Sequence, residues 1–100
     1  MEEYKVKILP TAQVDLLDIV EHFNILPPES ATTRFDAFIG QLSELSVLPE
    51  RCPLAKDTQL RLRGYRTLPL EDYTAFFVIR NGFVEIRRVL YSKRQYERLF

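Results

Sequence analysis

One hundred residues, 46% hydrophobic and 28% charged, suffice for one hydrophobic core but not two, and point to a single domain over residues 1–100. Formal net charge is zero, yet residues 1–50 carry three bases against nine acids and residues 51–100 eleven bases against five acids, which favours an acidic partner on the second half. One cysteine and one histidine exclude an internal disulfide and argue against a zinc site, and no apolar run approaches the roughly 18 residues of a membrane span.

Tyr4 to Leu9 alternates strictly, with Tyr4, Val6 and Ile8 on one face and Lys5 and Lys7 on the other, the pattern of a half-buried strand whose lysines suit a sheet edge. Pro10 stops it. Thr11 stands where a helix cap belongs, and the helix it opens runs to about Phe23. Ala12, Leu16, Ile19 and Phe23 form its apolar stripe, Leu17 and Val20 widen that stripe, and Asp15, Asp18 and Glu21 are expected towards the opposite side. Asn24 to Pro28 breaks the helix. A second helix begins at Pro28 or Ser30 and carries Ala31, Phe35, Phe38, Leu42 and Leu45 at helical spacing before Leu48-Pro49 ends it.

Residues 49–60 show no period and are expected to be a surface loop. A strand is predicted over Arg63–Leu68, with a turn at Pro69 to Asp72. Next comes the strongest local signal, Asn81-Gly82 between apolar runs at Tyr73–Ile79 and Phe83–Tyr91. This is a hairpin with a type I′ turn, because both turn positions need positive φ. An unbroken ladder pairs Arg80 with Phe83, Phe77 with Ile86 and Tyr73 with Leu90. Tyr73, Ala75, Phe77, Ile79, Val84, Ile86 and Leu90 then share an apolar face for the helices to cover. Arg88 on that face snorkels out or meets a carboxylate. Thr74, Phe76, Val78, Glu85, Arg87, Val89 and Tyr91 share a mixed face, read as a free cationic front. Ser92 can cap a short final helix with Tyr96 and Leu99 or Phe100 facing back. The fold class is α+β: a strand, a helical hairpin, then an antiparallel sheet of about four strands with a short C-terminal helix.

The chain resembles toxins of the RelE/ParE superfamily of bacterial type II toxin–antitoxin systems. The resemblance runs from YKVKILPTAQVDLLDIVEHF through the Leu45–Leu48–Pro49 helix end. It is most specific in Gly64-Tyr65-Arg66, Leu68-Pro69, Phe76-Phe77-Val78-Ile79, Val84-Glu85-Ile86 and Arg88-Val89-Leu90-Tyr91. It implies a cytoplasmic plasmid-stabilisation toxin that arrests growth unless a cognate antitoxin sequesters it. The expected location agrees with the lone cysteine and with Glu2 and Glu3 standing where a basic leader segment would.

Superfamily members differ in target, so the site decides between them. A RelE-like, metal-independent messenger-RNA nuclease acting in the ribosome would draw catalytic groups from Arg87, Tyr91 and Arg94. Arg61, Arg63, Arg66, Lys93 and Tyr96 are the candidates for binding the target or the antitoxin. Neither a metal nor a cofactor is implied. Thr74 stands where some of these nucleases carry arginine, and Ser92-Lys93 where they carry a His-Tyr pair. A tyrosine near pKa ~10 is a poor base at neutral pH. The ParE-like alternative, inhibition of DNA gyrase, asks only for a protein-binding surface and is the reading preferred. A degenerate toxin that binds only its antitoxin is the third.

Overall fold

The computed structural model describes residues 3–23, 28–93 and 100. Strand β1 (Lys5–Ile8) leads into helix α1 (Pro10–Phe23) and helix α2 (Pro28–Ser43), and a 3₁₀ turn over Glu44–Ser46 extends the second helix. A further 3₁₀ turn (Pro49–Arg51) and a one-turn helix α3 (Thr58–Leu62) precede β2 (Arg66–Leu70), β3 (Tyr73–Arg80) and β4 (Phe83–Tyr91). The strand order is β1-β4-β3-β2. The α+β class and the helical hairpin are as expected. The sheet is not wholly antiparallel: β1 lies parallel to β4, with Lys5 opposite Phe83 and Ile8 opposite Ile86. The two helices between β1 and the later strands make that parallel return possible. β1 is an edge strand with Lys5 and Lys7 exposed, and Pro69 sits in the other edge strand, where a missing N–H is tolerated.

Pro10 is the first residue of α1, a position whose N–H has no helical partner in any case, so Thr11 lies inside the helix. Ala12, Leu16 and Ile19 are buried, but Leu17 is 65% exposed and does not widen the stripe. Asp15 is only 9% exposed, because positions 12, 15, 16 and 19 share one helical face. On α2 and its extension Phe38, Leu42 and Leu45 are buried. Together with Ala75, Phe77, Val84, Ile86 and Val89 they form the main core, each large side chain contributing roughly 1.5–3 kcal/mol by burial.

The hairpin turns at Asn81 (φ 51°) and Gly82 (φ 81°), as the type I′ reading requires. Arg80 pairs with Phe83 and Phe77 with Ile86, but Phe76 pairs with Arg88. Arg87 is therefore an extra residue, a β-bulge, and beyond it Tyr73 pairs with Tyr91 instead of Leu90. The bulge exchanges the expected sides of the next two residues: Val89 joins the helix-side core and Leu90 the opposite cluster.

That opposite side is not the free front expected from the alternation. Phe76, Val78 and Leu90 are buried there beneath Ala55, Leu60 and Tyr65, with Phe100 packed against them. The covering comes from residues 55–65, most of which lack periodicity because short turns and a single helical turn carry no repeat. Cys52 is part of the main core, and burial pushes its thiol pKa up. β2 begins three residues later than predicted because Arg63 to Tyr65 form the end of α3. The β2–β3 turn is confined to Glu71 and Asp72, with Glu71 at φ 57°. The predicted final helix, with Tyr96 and Leu99, lies outside the described residues.

Candidate docking cleft

The side of the sheet under α3 carries the densest convergence of charge and aromatic surface. Asp57 opens α3 by accepting the Leu60 N–H at 3.0 Å. At the other end Gly64, at φ 83°, reverses the chain. The Gly64 N–H donates to the Arg61 carbonyl at 3.0 Å and the Tyr65 N–H to the Leu60 carbonyl at 3.0 Å, the paired bonds of a Schellman ending. This ending drops Tyr65 into the second cluster beside Leu60, leaving it 3% exposed.

Arginines gather around that buried ring. The Arg63 guanidinium lies 5.3 Å from its centroid and the Arg87 guanidinium 5.8 Å, both within cation–π range. Phe100 meets the ring edge-on at 5.0 Å. Arg87 donates through Nη2 to Glu85 Oε1 at 2.8 Å, while its Nε is buried with no hydrogen-bond partner among the described residues. Arg63, Tyr65, Val78, Arg80 and Arg87 line a cleft of about 420 Å³. The bond from Arg87, reinforced by the nearby charges of Arg80 and Lys7, holds the Glu85 carboxyl below its ordinary range. The same bond raises Arg87. Three cations against one carboxylate leave the cleft positive.

Arg63 and Arg87 are the two sequence candidates that the fold brings together. Arg61 turns back on its own helix, donating to the Lys56 carbonyl at 3.0 Å and to Thr58 Oγ1 at 3.4 Å. Arg66 is a strap, with Nη1 donating to the carbonyls of Glu50 (3.1 Å) and Cys52 (2.6 Å). Lys93 is exposed just beyond β4, and Arg94 and Tyr96 lie outside the described residues. Tyr91 does not share a face with Arg87, contrary to the simple alternation. Its ring packs edge-on against Tyr73 at 5.9 Å, and with Asp18 and His22 it lines a separate cavity of about 150 Å³ beside α1. The bulge at Arg87 causes this separation.

Asp15 fixes the bulge. Its Oδ2 accepts from Arg88 Nε at 2.8 Å and from the Val89 N–H at 3.0 Å, and its Oδ1 accepts from Arg88 Nη2 at 2.9 Å. The carboxylate expectation for Arg88 is met, by a residue read as solvent-facing. Tyr65, Arg80 and Asp15 were not singled out as site or positioning residues. The one local signal was Gly64 beside Tyr65, legible as a helix ending only once a helix is recognised in front of it.

Chemically, the cleft can hold an anion. Its lining is three arginines and a buried tyrosine beside glycine and aliphatic residues, with no histidine or carboxylate among them, a set suited to binding an anion through guanidinium forks. Among the described residues no group of acids, histidines or cysteines could hold a metal ion, and no helix is long and apolar enough to cross a membrane.

The family model described as the ParE toxin of type II toxin–antitoxin system, parDE, matches residues 6–96. No curated protein matches the sequence. Among solved structures, the chromosomal ParDE toxin–antitoxin system from P. aeruginosa is similar at a TM-score of 0.76 and 23% identity, over 91% of this chain and 98% of that one. The toxin–antitoxin complex RelBE2 from Mycobacterium tuberculosis is similar at a TM-score of 0.59 and 22% identity, over 91% of this chain and 93% of that one. At these identities the structural likeness speaks for the fold.

Proposed function

We propose that this chain, which belongs to the ParE toxin family of type II toxin–antitoxin systems, arrests growth by inhibiting DNA gyrase in the cytoplasm until a cognate antitoxin neutralises it. The family match over residues 6–96 is the observation that carries the reading. Similar solved structures include a toxin–antitoxin system and a toxin–antitoxin complex, which supports a protein partner of the same kind. The cleft adds a physical reason to prefer a binding toxin over a nuclease. Cutting RNA without metal needs a base, an acid and phosphate stabilisation in one place. Among the described residues Arg63, Arg80 and Arg87 share the cleft, while Tyr91 stands beside α1 with His22. Inhibition of gyrase by a protein requires no such triad.

Induced expression is expected to produce filamentation and a DNA-damage response, and purified protein to inhibit supercoiling by gyrase in vitro. Co-expression of the product of an adjoining small reading frame is expected to restore growth. Unimpaired supercoiling together with rapid arrest of translation and codon-positioned cuts in messenger RNA would reverse the assignment in favour of the nuclease.

A further inference from the structure

We propose that the cleft around Tyr65 is a carboxylate cradle that seats an acidic side chain of a bound polypeptide, with Arg63 and Arg87 as its jaws and Arg80 as an outer contact. The role rests on the reading of the chain as a toxin held by a protein partner, and it adds the chemistry and the residues of one contact. A guanidinium resting against an aromatic face leaves its planar N–H edge for an acceptor, and two such forks on one ring suit a carboxylate. Arg87 is held over the Tyr65 ring, which limits the side-chain freedom to be lost on binding.

The surroundings favour a polypeptide over a nucleic acid. A phosphate backbone carries regularly spaced charge and is usually met by a stripe of cations on a basic protein. This chain has no net charge, three of its arginines meet in the one cleft, and Glu85 is bonded to one of them. Next to Arg63 in the chain, Leu62 is 77% exposed, offering an apolar neighbour for a segment that alternates acidic and aliphatic residues. Charge complementarity therefore selects an acidic, partly apolar segment as the occupant.

The test is an amide NMR titration of the isotope-labelled chain with three probes. These are a short capped peptide alternating glutamate and leucine, its glutamine–leucine counterpart, and a thymidine oligonucleotide of matching charge. The glutamate peptide is expected to shift the amides of Gly64, Tyr65 and Arg87, while the glutamine peptide leaves them in place and the oligonucleotide binds more weakly. Arg87→Gln is expected to weaken the glutamate peptide about tenfold, the size of one lost charge-assisted contact. Arg63→Gln, at an exposed position where folding is safe, is expected to weaken it in the same direction. Equal shifts from the two peptides, unchanged affinity in Arg63→Gln, or tighter seating of the oligonucleotide at these amides would each overturn the cradle. Failure to inhibit gyrase alongside normal peptide binding would instead count against the proposed target and leave the cradle standing.

Discussion

The two sides of the sheet are built by different means. On the helix side, two amphipathic helices lay Leu16, Ile19, Phe38 and Leu42 over Phe77 and Ile86, with the ion pair of Asp15 and Arg88 between α1 and β4 and that of Arg34 and Glu71 between α2 and the β2–β3 turn. On the other side, a one-turn helix and its flanking loop cover Phe76 and Val78, and cations rather than aliphatic residues finish the rim around Tyr65. One side is closed by periodic structure. The other is closed by a few specific hydrogen bonds, and those bonds leave guanidiniums at the surface. Function can therefore sit where the cover is thin, while stability rests where it is thick.

The sharpest way to break this comparison is at Asp15. Its carboxylate satisfies Arg88 through two bonds and the Val89 N–H through a third. Asp15→Ala removes one half of a largely buried ion pair together with the three hydrogen bonds it accepts, and is expected to cost about 3–5 kcal/mol in urea denaturation. It is also expected to release the bulge, seen as altered amide shifts at Arg87 and Val89. A loss below about 1 kcal/mol would mean that the bulge is held by the hairpin itself and not from the helix side.

Arg66 tests the loop that leads into the thin cover. One of its nitrogens donates to the carbonyls of Glu50 and Cys52, tying residues 50–52 to the start of β2. Arg66→Ala is expected to cost about 1.5–3 kcal/mol, the range for hydrogen bonds from a charged donor. Arg61→Ala removes an exposed arginine that bonds only within its own turn, and is expected to stay within about 0.5 kcal/mol. Equal losses in the two variants would erase the distinction between a strap and a surface charge.

The elements that were legible in the sequence are those whose signal is local or periodic. Asn81-Gly82 specifies its turn through backbone sterics, and Phe38, Leu42 and Leu45 specify a buried helical face through spacing. What was not legible depends on contacts between distant residues. The bulge at Arg87 has no marker in its own strand, since its clamp is Asp15, far away in the chain. Missing it placed Tyr91 beside Arg87 and assembled a mixed face that the fold divides. α3 is too short to show a period, so the cover over Phe76 read as a loop and its Arg63–Tyr65 ending as strand. Arg63 and Arg87 were named from the superfamily resemblance and their residue type, and Arg87 also from its expected face. The ring that joins them needed the fold.

The smallest expected effect concerns Glu85. Its folded carboxyl is held below the ordinary range, first by the bond from Arg87, so the unfolded chain binds the proton more readily than the folded one does. The stabilisation is therefore present above the unfolded pKa of roughly 4.3, and it is lost as pH falls through the lower folded value. Glu85→Gln is expected to flatten the acid side of a stability profile below about pH 5 while changing little at neutral pH, as befits a partly solvated pair. The same substitution removes the one carboxylate that competes for Arg87 within the cleft, so it is expected to strengthen the glutamate peptide even as it removes acid sensitivity. A variant that lost both stability at neutral pH and peptide affinity would show that Glu85 holds Arg87 in its binding position more than it competes for it.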